Sequence, residues 1–153
     1  MNEKFKKLNL SLIIAIVAMI VYDIFAIIAN TIAISNVNDQ LKRNQSLMAK
    51  VDVDTVKHLL NNTQIYVWFI VATLVILVIA LIITIINRAK ANKSLQLIII
   101  GLLAIVAVLF IVGLAFGGPL LGLVSLLLLI PAYRGYKELN SAQSVVQQIQ
   151  IQQ

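Results

Sequence analysis

The sequence predicts an all-α integral membrane protein, folded as a four-helix bundle with a short helical extracellular loop between spans one and two. Polar stretches separate four long apolar runs, which cover residues 8–34, 65–86, 95–116 and 119–133. A helix needs about 20 apolar residues to cross the hydrocarbon core of a bilayer, and three of the runs exceed that length. Hydrophobic residues make up 61% of the chain and charged residues 12%, which is more apolar surface than a soluble domain of this length buries.

The first element is a span over residues 8–34, preceded by a basic N-terminal segment. The sequence Ala33-Ile34-Ser35 resembles a signal-peptide cleavage site. The apolar stretch, however, is much longer than the roughly 7–15 residues of a signal-peptide core. We therefore expect an uncleaved first span, tilted or extending beyond the membrane surface.

The second element is the loop over residues 35–64, whose apolar residues follow helical spacing. Two helices are expected in this loop, and their N-termini are expected to be capped by Asn38 or Asp39 and by Asp52 or Asp54, respectively. This pattern predicts a small amphipathic hairpin lying over the outer mouth of the bundle. The same surface is a candidate docking site for an extracellular partner.

Spans two, three and four complete the membrane domain, which we place at residues 1–138. Aromatic residues at the start of span two, Tyr66, Trp68 and Phe69, are typical of membrane-interface anchors. A turn joins spans three and four, and two pairs of glycines spaced four apart flank it: Gly113, Gly117, Gly118 and Gly122. Small residues at this spacing let helix backbones approach closely, so we expect these spans to pack tightly there, with dimerisation through the same face as an alternative. Pro131 is expected to kink or end span four.

The remaining residues, 139–153, form a glutamine-rich tail. Leu139, Ala142, Val146 and Ile149 follow the 3-4-3 spacing of a helix-pairing seam. The seam is shorter than two heptads, so we expect a frayed cytoplasmic helix that a partner would order.

Charge placement predicts the orientation. Six basic residues precede span one or fill the linker 87–94, and they are Lys4, Lys6, Lys7, Arg88, Lys90 and Lys93. Basic residues in short flanking segments stay on the cytoplasmic side. We therefore expect a multi-pass protein of the cell membrane with both termini in the cytoplasm and the loop 35–64 outside.

Asp23 is the one charged residue inside a predicted span. Because an aspartate at mid-membrane costs about 2.5–3.5 kcal/mol to insert, it is a candidate functional residue. A polar cluster at similar depth is expected from Asp23, Tyr22, Asn30, Thr73 and Ser125. This cluster is either a proton or cation site or a hydrogen-bonded contact that holds the helices in register.

Several function classes lack a signature in the sequence. There are no cysteines and a single histidine, His58, so neither a thiolate nor a histidine-rich metal site is expected. No phosphate-binding loop, zinc-protease motif or serine-nucleophile motif occurs. The chain also lacks the basic stripe interleaved with aromatics that nucleic-acid binding would require. We expect no enzyme activity, catalytic residue, metal, cofactor or nucleic-acid partner.

The basic start, the uncleaved first span, the polar outer loop and the Gly113–Gly122 hairpin resemble the small four-span membrane proteins of unknown function from Gram-positive bacteria. The chain is also similar to the small multidrug resistance family in having four spans and an acidic residue in span one. It departs from that family in its 30-residue outer loop (residues 35–64) and its few intramembrane aromatics. Those departures weigh against a drug–proton exchange role for Asp23.

These observations favour a non-enzymatic membrane protein that acts through protein–protein contacts, as an accessory subunit, an envelope-stress factor or an immunity-type factor. Besides the lipid bilayer, its expected partner is another membrane protein or a second copy of itself. The alternative is a small transporter or ion-conducting subunit that uses Asp23 as a proton or cation site.

Overall fold

The computed structural model describes residues 3–44 and 50–152, and the side chains of residues 3–43, 53–120 and 122–141. Helix makes up 95% of the structure, and the part of the chain that it describes contains no strand. The elements in order are α1 (Glu3–Asn44), α2 (Lys50–Lys90), α3 (Lys93–Leu114), a 3-10 helix (Leu120–Leu128) and α4 (Leu129–Gln152). The predicted all-α class is confirmed.

The elements pack as a ring in which neighbours in sequence are neighbours in space. Helix α1 packs against α2 and α4, α2 against α3, and α3 against both the 3-10 helix and α4. Within the described residues, the backbones of the diagonal pairs α1–α3 and α2–α4 lie farther apart, and α1 and α3 meet through side chains. The enclosed core is aliphatic with one aromatic ring, and its buried members are Leu12, Ile16, Met19, Leu77, Ala80, Ile99, Leu103, Val106, Phe110, Leu128 and Ala132.

Three of the helices, α1, α2 and α3, are long and apolar enough to cross a membrane. The fourth apolar run, 119–133, differs from the single α-helix that we predicted. Its first part is the 3-10 helix, and α4 begins only at Leu129. Pro131 neither ends nor breaks α4, because it lies in the first turn, where a backbone N–H has no partner within the helix.

The segment between the first two spans also differs from prediction. Helix α1 continues without interruption through Asn38 and Asp39 to Asn44, so neither residue caps a separate helix. Asp54 likewise lies inside α2, and the side chain of Asp52 lies outside the described residues. The expected small helices are thus extensions of α1 and α2, because helical periodicity continues past the apolar runs on both sides.

These extensions project well beyond α3. At 1.5 Å per residue, the 42 residues of α1 span about 63 Å and the 22 residues of α3 about 33 Å. The ring of Tyr66 in α2 lies beside Gly118, just past the end of α3. Residues 31–44 and 50–65 therefore extend past α3 by roughly 20 Å. We call these two segments the α1–α2 hairpin, and the opposite end of the bundle, where residues 4–7, 88–93 and 134–137 meet, the basic end.

A two-residue turn at the basic end joins α2 to α3. Ala91 adopts a left-handed conformation with φ of 47°, and Asn92 then caps α3. The Asn92 side chain accepts hydrogen bonds from the backbone N–H groups of Ser94 (2.8 Å) and Leu95 (3.4 Å). An asparagine in this position satisfies N–H groups that a helix start otherwise leaves unpaired.

At its other end α3 stops in a Schellman motif. The N–H of Gly118 bonds to the carbonyl of Gly113 at 3.0 Å, and the N–H of Gly117 bonds to that of Leu114 at 3.3 Å. Gly117 has φ of +87°, a conformation that costs a residue with a Cβ but not glycine. Pro119 follows and prevents the helix from continuing.

Candidate functional site

The only carboxyl group buried among the described side chains lies between α1 and α2. Asp23 is 0% exposed and Thr73 is 1% exposed. The Thr73 hydroxyl lies 2.7 Å from Oδ2 of Asp23 and 2.8 Å from the carbonyl of Ile70. Because a hydroxyl carries a single hydrogen, Thr73 shares that hydrogen between these two acceptors. The second carboxyl oxygen, Oδ1, has no hydrogen-bond partner among the described residues.

Two tyrosines and a phenylalanine surround this pair. Tyr66 is only 5% exposed and lies close to Tyr22 and Asp23. The Tyr22 ring packs at 51° against the ring of Phe110 in α3, with centroids 6.4 Å apart. We call Asp23, Thr73, Tyr22 and Tyr66 the Asp23 cluster. It draws side chains from α1 and α2 and packs onto α3.

Two residues predicted for this cluster make their hydrogen bonds elsewhere. The Asn30 amide donates to the carbonyl of Ala26 at 2.7 Å, one turn back on its own helix. Ser125 is buried, but its hydroxyl donates to the carbonyl of Gly122 at 2.7 Å. The structure thus brings together three of the five predicted residues, Asp23, Thr73 and Tyr22.

Sequence reasoning missed the role of Tyr66, which it assigned to the membrane interface together with Trp68. Trp68 is 72% exposed, as a lipid-facing anchor would be, whereas Tyr66 points inward. The spacing of Tyr66 and Thr73 along the sequence could have revealed this role. Tyr66 precedes Thr73 by seven residues, which is two helical turns and therefore the same helix face.

Three of the four glycines near the α3 turn make room for aromatic rings. A Cβ at Gly118 would lie 2.6 Å from the Tyr66 ring, and one at Gly113 would lie 3.2 Å from it. A Cβ at Gly122 would lie 3.0 Å from Phe110, whereas Gly117 has nothing within 4 Å. Three glycines therefore give space to the rings beside Asp23, and Gly117 provides the left-handed backbone of the turn.

A second buried polar cluster, at the basic end, was not predicted. The Asn87 amide donates to Oε1 of Gln96 at 3.1 Å, and the Gln96 amide donates to the carbonyl of Ala132 at 2.8 Å. Oδ1 of Asn87 accepts the backbone N–H of Asn92 at 2.7 Å. This amide network links α2, α3 and α4. Nearby, the buried Asn9 of α1 donates to the carbonyl of Thr84 at 3.1 Å.

The α1–α2 hairpin carries a groove of about 400 Å³ between its two helices. Its lining is mostly apolar and comes from both helices: Ala33, Ile34, Val37, Gln40, Leu41, Val56, Leu59, Leu60 and Thr63. Leu59 is 60% exposed. The predicted seam in the tail continues from Leu139, which is buried, but the side chains of Ala142, Val146 and Ile149 lie outside the described residues.

The chemistry available to these sites is limited. Among the described residues, no group of three or more His, Cys, Asp or Glu side chains is placed to hold a metal ion. The Asp23 cluster offers one carboxyl and three hydroxyls, so it can form hydrogen bonds or exchange a proton. The groove on the α1–α2 hairpin offers apolar surface.

Comparison of the chain with protein-family models, curated proteins and solved structures gave no match. The resemblances drawn from the sequence are therefore likenesses of topology.

Proposed function

We propose that this chain is a non-enzymatic membrane protein that acts through protein–protein contacts made by the α1–α2 hairpin. The observation that supports this most is the apolar groove on that hairpin, whose described lining residues come from α1 and α2. Two helices that pack only against each other each bury one face and leave the others uncovered. Exposed apolar surface that has polar residues around it is typical of an interaction site. The role is that of an accessory subunit, an envelope-stress factor or an immunity-type factor.

The shape of the groove favours a helical partner. An amphipathic helix binds by laying its apolar face between two other helices, and a groove of about 400 Å³ accommodates several of its side chains. The partner would be another membrane protein, or a second copy of this chain, that presents an apolar helix at the level of Leu59.

We also propose that the fourth apolar run crosses the membrane, with the basic end in the cytoplasm and the α1–α2 hairpin outside. A 3-10 helix rises about 2.0 Å per residue and an α-helix about 1.5 Å. Residues 120–128 in the first form and 129–133 in the second therefore reach about 25 Å. That length is close to the hydrocarbon thickness of about 30 Å, and Arg134 then lies at headgroup depth.

One labelling experiment tests both proposals, because the chain has no native cysteine. Leu59→Cys places a single thiol in the groove, and Lys57→Cys places one on the same helix outside it. In intact cells both thiols should react with a membrane-impermeant maleimide, whereas Lys90→Cys at the basic end should react only after permeabilisation.

With a short thiol-to-amine crosslinker, Leu59→Cys should capture a discrete protein partner and Lys57→Cys should capture none. A crosslinked dimer of this chain would identify the partner as a second copy. If Leu59→Cys captures no protein, or if both variants give the same products, the groove is not a specific contact site. If Lys90→Cys reacts in intact cells, the proposed orientation is wrong.

The second candidate function is transport, with Asp23 as the proton or cation site. It is favoured by Oδ1 of Asp23, which has no hydrogen-bond partner among the described residues and belongs to a carboxyl group that is 0% exposed. The burial of Asp23 weighs against this function, since transport requires a route from water to the carboxyl group. We therefore place it second.

A further inference from the structure

We propose that the basic end binds the phosphate headgroup of an anionic phospholipid in a groove between α1 and α4. This groove has a volume of about 360 Å³ and is lined by Lys4, Lys7, Leu8, Arg134, Lys137 and Glu138. We call it the basic groove. The proposal concerns the opposite end of the molecule from the α1–α2 hairpin and does not depend on the function assigned there.

The charge in the basic groove favours an anion. Four of its lining side chains are cationic and one is anionic. Lys4 and Glu138 each make an interaction of their own, so the proposal rests on Lys7, Arg134 and Lys137, all of which are exposed. An arginine binds phosphate oxygens through two parallel N–H groups and a lysine through a point charge.

One of these cations is already held in place. The ammonium group of Lys137 lies 5.6 Å from the centre of the Tyr133 ring, which is within the range of a cation–π interaction. Tyr133 is 54% exposed, and exposed tyrosines are enriched at the depth of lipid headgroups. The groove thus contains one cation that a neighbouring aromatic ring helps to position.

The surface next to the basic groove favours a lipid over a free anion. Leu10 lies one turn from Lys7 along α1, and Ile130 lies one turn from Arg134 along α4. These apolar side chains are 45% and 49% exposed, respectively. A phospholipid whose phosphate lies in the groove would therefore place its acyl chains along Leu10 and Ile130. A soluble phosphate would leave these two side chains uncovered.

The test compares two double variants with matched chemistry. Lys7→Gln/Arg134→Gln removes one lysine and one arginine from the basic groove. Lys6→Gln/Arg88→Gln removes the same two residue types from a separate groove between α1 and α2 at the same end. The full chain in nonionic detergent is titrated with phosphatidylglycerol, phosphatidylcholine or glycerol phosphate, and bound lipid is counted by native mass spectrometry.

The unchanged chain should prefer phosphatidylglycerol to phosphatidylcholine. Each basic residue near a membrane surface changes the affinity for anionic lipid about fivefold, so the groove variant should bind about 30-fold more weakly. The control variant should bind nearly as tightly as the unchanged chain, because Lys6 and Arg88 line a different groove. Thermal unfolding without lipid verifies that both variants fold, and Lys137→Gln replaces the groove variant if it does not fold.

Three results would overturn the proposal. Equal affinity for the two lipids would show that headgroup charge is not recognised. Equal losses in the two double variants would show that charge spread over the whole basic end attracts the lipid. Competition by glycerol phosphate at the same concentration as phosphatidylglycerol would show that the groove binds a free anion.

Discussion

The two buried polar clusters of this bundle differ in how many of their groups are paired. In the Asp23 cluster, one hydrogen bond joins α1 to α2, and Oδ1 of Asp23 has no partner among the described residues. In the amide network, hydrogen bonds through Asn87 and Gln96 join α2, α3 and α4. Asp23, Asn87 and Gln96 are each 1% exposed or less, so the difference does not come from burial.

The chemistry of the side chains explains the difference. An amide both donates and accepts, so Asn87 and Gln96 form a chain that ends on backbone groups. An ionised carboxyl only accepts, and the Thr73 hydroxyl has one hydrogen to give. A buried polar group without a partner costs free energy, and an ionisable residue inside a membrane span is a candidate for function. The amide network is thus a structural contact, and the Asp23 cluster is the better candidate for function.

The largest effect is expected from breaking the amide network with Gln96→Leu. The change removes the acceptor of the buried Asn87 amide, and an unsatisfied buried donor costs about 1–3 kcal/mol. We expect the free energy of unfolding to fall by about 2 kcal/mol, measured by denaturant titration in mild detergent.

A double-mutant cycle supplies the control for Gln96→Leu. Asn87→Leu should cost less in the Gln96→Leu background than in the unchanged chain, because the two side chains share one hydrogen bond. Additive costs would show that the Asn87–Gln96 bond contributes nothing to stability.

The second largest effect on stability is expected from a substitution that crowds the Asp23 cluster. Gly118→Ala places a Cβ 2.6 Å from the Tyr66 ring and 2.9 Å from the carbonyl oxygen of Gly113. Because Tyr66 is buried and the carbonyl belongs to the backbone, relief requires a shift of α3 or of the ring. We expect a loss of about 1–2 kcal/mol, typical of an overpacked core, measured by thermal unfolding.

Gly101→Ala is the matched control for Gly118→Ala. Gly101 is an exposed helical glycine with nothing within 4 Å of an added Cβ. Alanine there should stabilise α3 by about 0.5–1 kcal/mol through helix propensity. If the two variants unfold at the same temperature, the glycines near the turn do not give room to Tyr66.

The length of the apolar runs predicted the helical class, and a different signal placed Asp23 and Thr73 in one predicted cluster. A charge inside an apolar run is conspicuous, and a polar residue at similar depth in the next span is its natural partner. Thr73 met that condition. Asn30 lies on the same helix as Asp23, and its side chain instead bonds to its own backbone four residues back, at the carbonyl of Ala26.

The amide network was missed because Asn87 and Gln96 lie at the ends of apolar runs, where polar residues are expected to face water. Only the turn at Ala91 and Asn92 folds them back between α2 and α3. The 3-10 helix was also missed, since residues 120–128 have the composition of any apolar helix. The order of these residues does not distinguish a 3-10 helix from an α-helix.

The smallest effect on stability is expected from Asp23→Asn, which separates the two proposed functions. Asparagine has the size of aspartate and keeps an acceptor for the Thr73 hydroxyl. Interhelical hydrogen bonds in membrane proteins contribute about 0.6 kcal/mol on average, so the free energy of unfolding should change by less than that. Asp23→Leu should cost more, because it adds bulk and leaves Thr73 with the Ile70 carbonyl alone.

Proton flux in liposomes is then measured for the unchanged chain and for Asp23→Asn. For a contact protein neither should conduct, and crosslinking from Leu59→Cys should be the same in both backgrounds, because asparagine cannot exchange a proton near neutral pH but keeps the helices in register. If the unchanged chain carries protons and Asp23→Asn abolishes that flux with its stability intact, the carboxyl is a transport site. Oδ1 of Asp23, which lacks a partner in the described part of the chain, would then be the atom that takes up the proton.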